Sequence, residues 1–185
     1  MVYLDQAATS FPKLDVVKQA VMDAIEVAGN ANRSSNMDSS RLIFEARRNI
    51  ARFFGLSDFH RVILNGGNTE SLNTCIKGIL KEKDHVITTY AEHNSVLRPL
   101  YELEEKGVIS LTICSPYLKD IKNHIRNNTR MVIMTHSSNV TGEIFDVDLI
   151  GKYCKESDIL FMVDAAQSAG HIPVSMENID VLCFS

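Results

Sequence analysis

Met131-Val132-Ile133-Met134 is an apolar run with no polar residue to interrupt it. A strand of that kind is suited to burial on both faces, which in practice means a parallel sheet covered by helices above and below. The same rhythm of short apolar segments and helix-length spacers runs through most of the chain. Val62-Ile63-Leu64, His85 to Thr89, Val108 to Cys114, Ile159 to Val163 and Val181 to Phe184 are the other expected strands. Between them lie a helix starting near Thr69 (Leu72, Ile76, Ile79), one through Val96, Leu100 and Leu103, a short one from Leu118 to Ile125, and one carrying Ile150, Tyr153 and Cys154 that Asp146 can cap. Pro99 lacks an amide donor, so its helix is expected to begin late or to kink. The pattern predicts an α/β fold, a mostly parallel sheet with helices on both faces.

Upstream, Leu14, Val17, Val21 and Ile25 fall on one helical face, with Gly29-Asn30 as the expected stop. A polar loop is expected from Asn30 to Ser40, including Arg33, Ser34, Ser35 and Asn36. A second apolar stripe follows (Ile43, Ala46, Ile50, Phe53, Phe54), closed by Gly55.

Composition narrows the functional classes. The 185 residues are 45% hydrophobic and carry 19 Lys plus Arg against 23 Asp plus Glu, a formal net charge of −4. That balance gives no global basic field for nucleic acid. No tract approaches the roughly 20 apolar residues that span a bilayer, and the start MVYLDQAATSFPK has neither a basic nor an apolar leader region. Cytoplasm is the expected compartment, with neither nucleic acid nor membrane as partner. Cys75, Cys114, Cys154 and Cys183 have no CxxC spacing, so they are expected to be buried thiols, with no metal site and no catalytic role.

Parallel sheets place ligand chemistry at the carboxyl ends of their strands. Five segments pass that filter: Asn65 to Glu70, Glu92 with His93, Ser137 to Gly142, Asp164 to Gln167, and Ser185. Gly66-Gly67-Asn68-Thr69 can bring amides and a hydroxyl to a phosphate, although such residues also make an ordinary tight turn. Asp164, after five apolar residues, needs a cation, metal or strong donor, or else serves as a helix cap. Gln167 can aim an amide at the same ligand, and His93 can stack on a planar ring or move protons. Glu92 is expected to be a local partner, since adjacent side chains diverge; His136 stays undecided. The other histidines, His60, His85, His124 and His171, are expected to be structural or surface residues. One ligand satisfies all these features: a flat heteroaromatic ring with a phosphate at one end and a basic nitrogen at the other, as in pyridoxal 5'-phosphate. A carboxylate against that nitrogen strengthens the electron sink. The competing reading is a non-catalytic nucleotide-binding or interaction domain. The chain has neither GxGxxG nor GxxxxGK[ST], although Ile159 to Val163 followed by Asp164 is similar to the magnesium strand of nucleotide hydrolases.

Five segments together resemble the class V aminotransferase superfamily, in its cysteine desulfurase and selenocysteine lyase branch. They are YLDQAATSFPK (Tyr3 to Lys13), NGGNTES (Asn65 to Ser71), TTYAEHNSVLRP (Thr88 to Pro99), SSNVTG (Ser137 to Gly142) and FMVDAAQSAGHIPV (Phe161 to Val174). The resemblance implies the large cofactor domain of a fold-type I enzyme dependent on pyridoxal phosphate. Residues 1–30 would form an N-terminal segment and helix, and residues 31–185 part of the large domain; the C-terminal domain would be absent. It implies that Asn68 and Thr69 hold the phosphate, His93 stacks on the ring and assists proton movement, and Asn139 lies near the ring hydroxyl and substrate carboxylate. Asp164 would partner the pyridine nitrogen, Gln167 donate to the ring oxygen and Ser185 contact phosphate.

The implied activity of the parent enzyme is removal of sulfur from L-cysteine, giving L-alanine and an enzyme-bound persulfide. Selenocysteine lyase and aminotransferase chemistry are the alternatives. The Schiff-base lysine of the family would lie three positions beyond Ser185, so this stretch alone is expected to be inactive. A homodimer, a small amino-acid substrate and a sulfur-acceptor protein are the implied partners. Three positions depart from the family pattern: Gln6 replaces an asparagine, Asn36 stands where many relatives have histidine, and SSNVTG differs from the NNETG of housekeeping desulfurases.

Overall fold

A computed structural model describes residues 2–27 and 37–185. The expected stop at Gly29-Asn30, the loop residues Arg33, Ser34 and Ser35, and Asn36 lie outside the described residues. The chain divides into two compact units, residues 1–64 and 65–185.

In the first unit, α1 (Asp15–Ile25) and α2 (Asp38–Phe53) form where the apolar stripes predict them. The stripes are largely uncovered. No residue of α1 is buried, and Val17, Val21, Ile25, Ile43 and Phe53 are all exposed. Gly55 closes α2 with φ +72°, a left-handed conformation in which a side chain would be strained. Arg47 of α2 fixes the following segment by donating from Nε to the Val62 carbonyl (2.8 Å) and from Nη2 to the His60 carbonyl (3.0 Å). Gln6 clasps the backbone of Phe11, donating to its carbonyl (2.7 Å) and accepting from its amide (3.0 Å). The residue that departs from the family pattern therefore has a structural task of its own.

Val62-Ile63-Leu64 does not form the expected strand; a 3-10 turn (Phe59–Arg61) runs into irregular chain instead. An extended segment becomes a strand only with a ladder partner, and among the described residues none pairs with it. Ile63 and Leu64 are accordingly exposed.

The second unit has the expected architecture. Its strands β1 (Asp84–Thr89), β2 (Ile109–Cys114), β3 (Thr129–Thr135), β4 (Leu160–Asp164) and β5 (Val181–Cys183) stand in the order β2-β1-β3-β4-β5, every adjacent pair parallel. Connecting helices are α3 (Asn68–Ile79), α4 (Asn94–Glu105), α5 (Leu118–Asn123) and α6 (Val147–Glu156). Alternate strand residues feed two separate cores. Val86, Met131, Ile133 and Met162 pack with Leu72 and Ile76 of α3 and Val96 and Leu100 of α4. Ile87, Val132, Met134, Phe161 and Val163 pack with Ile121 of α5 and Ile150 and Cys154 of α6. The apolar run in β3 is thus two faces read alternately, as a doubly covered strand requires.

Asp146 caps α6, accepting from the Leu149 amide at 2.9 Å. Within α6, Gly151 leaves no room for a side chain, since an added Cβ would run into the Asn178 carbonyl oxygen. Pro99 does not delay α4, which begins at Asn94 and carries Pro99 buried in its interior. Among the described residues no helix is long and apolar enough to cross a membrane.

Candidate active site

The connection leaving β1 runs to β2 on one side and the one leaving β3 runs to β4 on the other, and the crevice above the β1–β3 border is where open α/β sheets take ligands. Glu92, in the turn after β1, spans this border. Its Oε1 accepts from Thr89 Oγ1 (2.6 Å) and from the Thr135 amide of β3 (2.9 Å), while Oε2 is buried with no partner. Burial pushes this carboxyl up to about 8, against the pull of the two bonds, and the charge of Asp164 pushes the same way. Glu92 is therefore mainly a neutral acid at pH 7.

His93 diverges from its neighbour, as expected for adjacent side chains, and is exposed at the N-cap of α4. Its Nδ1 accepts from the Ser95 amide (3.1 Å) and lies 2.8 Å from Ser95 Oγ. An imidazole whose Nδ1 accepts an amide carries its proton on Nε2 when neutral. The fold thus fixes the tautomer.

Asp164 ends β4 and is 3% exposed. Its Oδ1 accepts from Asn68 Nδ2 (2.8 Å) and from the Ala166 amide (3.0 Å), so it makes a local turn bond as well as a long-range one. Burial pushes the carboxyl up; the two bonds and nearby His93 pull it back. Asn68 opens α3 immediately after Gly67, whose φ of +146° favours glycine. The side-chain donor of Asn68 is engaged by Asp164, and its Oδ1 is buried without a partner. An acceptor atom does not attract an anion, so any contact of Asn68 with phosphate would have to use its backbone amide or the second hydrogen of Nδ2.

The two glycine amides are also engaged. Gly66 donates to Glu70 Oε2 (2.7 Å) and Gly67 to Asn65 Oδ1 (3.3 Å), placing an internal carboxylate where the sequence suggests an anion. Thr69 keeps its place at the helix start. It lines a cleft of about 290 Å³ together with Asn73, His93, Ser95, Arg98 and Glu102. Thr69 and His93 thus meet in one cleft, and Asp164 joins them through Asn68 and through the pull of His93 on its carboxyl.

The remaining expected residues are less closely gathered. Asn139 is exposed in the turn held by Ser138 Oγ, which accepts from the Val140 and Thr141 amides at 3.2 Å each. Gln167 is half-buried in the turn after β4, and Ser185 is exposed just past β5. None of the three lines the cleft. Because Val62-Ile63-Leu64 is not a strand, four of the five segments follow strands rather than all five. His85 is the structural residue expected, with Nδ1 2.8 Å from Thr129 Oγ1 and Nε2 2.9 Å from Thr112 Oγ1. His136 is buried, with its Nδ1 unpartnered.

Three contributors escape the sequence reading. Thr135 is one; its hydroxyl donates to the Ser137 carbonyl (2.9 Å) and its amide holds Glu92. Only its position at the end of an apolar strand could have marked it. Asn73 and Arg98 reach the cleft from helix interiors, where a strand-end filter does not look.

The residues fit a phosphorylated pyridine. A buried carboxylate held up by burial is stabilised by a cationic ring nitrogen, the orphaned Asn68 Oδ1 awaits a donor, and Thr69 offers a hydroxyl at a helix start.

The family model described as "Aminotransferase class-V" matches residues 2–185. Cysteine desulfurase IscS of Buchnera aphidicola subsp. Schizaphis graminum is 36% identical over 202 residues, covering 100% of this chain and 49% of that protein. The apo structure of cysteine desulfurase from Thermococcus onnurineus NA1 superposes with a TM-score of 0.85 at 30% identity, over 100% of this chain and 49% of that one. SspA in complex with cysteine gives 0.88 at 28%, over 100% of this chain and 57% of its own. The chain thus spans about half the length of these relatives. With its match to the family model unbroken across both units, it belongs to the class V aminotransferases, in their cysteine desulfurase branch.

Proposed function

We propose that the whole protein, rather than this stretch alone, acts as a cysteine desulfurase dependent on pyridoxal phosphate, taking sulfur from L-cysteine and leaving L-alanine. The observation that carries this reading is Asp164: a carboxylate buried at a strand end, bonded to the first residue of the helix whose next residue, Thr69, shares a cleft with His93. The 36% identity to a named desulfurase supports the substrate class.

In this reading the bound cofactor supplies an electron sink for a carbanion at the substrate α carbon. Asp164 holds the counter-charge to its ring nitrogen, and Asn68 orients Asp164. Thr69 and the first amides of α3 bind the phosphate. His93, its Nδ1 occupied, would hold or move a proton at Nε2 beside the bound ring. Glu92, neutral, joins β1 to β3 without placing a second negative charge beside Asp164. Asn139, Gln167 and Ser185 complete the set, toward the substrate carboxylate, the ring oxygen and the phosphate respectively. The uncovered apolar faces of α1 and α2 support a homodimer. A sulfur-acceptor protein and cytoplasmic placement belong to the same reading.

The test is titration of pyridoxal phosphate into the protein, followed by difference absorption. A saturable change that Asp164→Ala removes is expected; a change that does not saturate, or that survives the substitution, overturns the cofactor assignment. Release of alanine and sulfide from L-cysteine by the whole protein separates desulfuration from aminotransfer, which gives a keto acid instead.

A further inference from the structure

Of the polar side chains that line the cleft between α3 and α4, all but Glu102 can donate a hydrogen bond. Thr69 offers a hydroxyl, His93 its Nε2 hydrogen, Asn73 an amide and Arg98 a guanidinium. Asn73 is held in place by donating from Nδ2 to the Thr69 carbonyl at 2.9 Å, which leaves the second hydrogen of that nitrogen over.

Arg98 is the uncommitted member of this set. Glu102 lies one turn further along α4, at the spacing where an arginine and a glutamate ordinarily pair. That carboxylate is already taken. Lys77 of α3 reaches its Oε2 at 2.6 Å, and Lys106 reaches its Oε1 at 2.5 Å. Among the described residues the Arg98 guanidinium has neither a hydrogen bond nor an ion pair. Three cations thus stand around one carboxylate, and the one that lines the cleft is unpaired.

An unpaired guanidinium beside neutral donors is the donor set of an anion site. The glycine turn before α3 does not offer an equivalent, because its amides are held by Glu70 and Asn65. At about 290 Å³ the cleft falls just below the usual size of a whole small-molecule pocket, so it suits one group of a ligand. A phosphate group has oxygens enough for the guanidinium fork and the Thr69 hydroxyl together, where a carboxylate has only two.

We propose that the cleft between α3 and α4 is a phosphate-binding subsite, in which Arg98 supplies the positive charge and Thr69 and Asn73 the neutral donors. Two sources share this chemistry: the phosphate ester of the cofactor and free inorganic phosphate. The first rests on the function proposed above; the second does not.

The test measures binding to the whole protein and to its Arg98→Gln and Arg98→Lys forms, with inorganic phosphate followed by equilibrium dialysis and pyridoxal phosphate and pyridoxal by difference absorption. Inorganic phosphate is expected to saturate, to bind about tenfold or more weakly to Arg98→Gln, and to keep most of its affinity in Arg98→Lys. Because Arg98 is exposed and unbonded, Arg98→Gln should melt with the unsubstituted protein. With the cofactor as the source, inorganic phosphate competes with pyridoxal phosphate, and Arg98→Gln weakens pyridoxal phosphate while leaving pyridoxal within about twofold. With free phosphate as the source, the two bind together and only the inorganic ion responds to Arg98. Inorganic phosphate that does not saturate, or that binds Arg98→Gln as well as the parent, overturns the proposal; so does a lowered melting temperature for Arg98→Gln, which would give Arg98 a structural task instead. Pyridoxal phosphate that fails to bind the unsubstituted protein removes the cofactor reading and leaves the inorganic phosphate result to decide this one.

Discussion

Asn68 and Asp164, 96 residues apart in sequence, are joined by a 2.8 Å hydrogen bond from Nδ2 to Oδ1, which connects the start of α3 to the end of β4. A hydrogen bond to a buried charged group contributes about 1.5–3 kcal/mol. Asn68→Ala is therefore expected to lower the unfolding free energy by about that amount. Asn68→Asp, which sets two carboxylates together, should cost more. Urea unfolding at pH 7 measures both, and equal stabilities for all three proteins would refute the role given to this bond.

Asp164 and Gln167 are expected to differ in their effect on cofactor binding. Removing a counter-charge should weaken pyridoxal phosphate by tenfold or more, at least about 1.4 kcal/mol. Gln167→Ala should cost less than about threefold, since only a neutral donor goes. Difference-absorption titrations of the two variants decide this, and comparable losses would contradict the assignment of Asp164.

Glu92 gives a dependence of stability on pH. Its carboxyl titrates near 8 in the fold against an ordinary value of 4.5, so between those limits the folded protein holds a proton that the unfolded chain has released. Stability from this group is full below about 4.5, is lost as pH rises toward 8, and levels off above it. Asp164, also raised, acts in the same direction from a lower pH. Glu92→Gln should flatten the slope by roughly 3 kcal/mol between pH 5 and 8. Unfolding free energies at pH 5.5, 7 and 8.5 make the comparison; parallel curves would show that Glu92 is ionised in the fold.

His93 caps a helix as well as facing the cleft, and two substitutions separate these tasks. His93→Asn keeps an N-cap acceptor and should stay within about 0.5 kcal/mol in stability while losing ring-dependent function. His93→Ala should lose about 1 kcal/mol besides. Thermal melting measured beside turnover of the whole protein resolves the two effects.

Gly151→Ala should destabilise by about 1–3 kcal/mol, because its Cβ would meet the Asn178 carbonyl oxygen and the Phe161 ring. A melting temperature unchanged from the parent would mean that the loop carrying Asn178 gives way at little cost.

Much of this architecture was legible in the chain because strand period and burial agree in the second unit. Met131 to Met134 pointed to a doubly covered strand and became one, and Asp146 marked the start of α6. Val62 to Leu64 misled because apolar content signals burial, whereas a strand also needs a neighbour, which a local sequence pattern does not supply. At the candidate site, Asp164, Thr69 and His93 stood out as polar residues after apolar runs or at a helix start. Glu92 reads in the sequence as a local partner, but its bond to the Thr135 amide depends on the β1–β3 border and so on the order of the sheet. The hydrogen bonds that occupy the Gly66 and Gly67 amides, to Glu70 and Asn65, are hidden from the sequence for a different reason. Those contacts are local, but the same residues fit a phosphate cradle equally well.

The span between Asn68 and Asp164 also sets an order of assembly. On the ribosome, Thr69 and His93 emerge well before β4, and the loop to be closed is long, so its entropic cost is met only once the intervening strands have paired. A nascent chain halted before residue 164 would hold two of the three principal groups and no anionic floor. Any ligand that needs the Asp164 carboxylate can be captured only after β4 has been made.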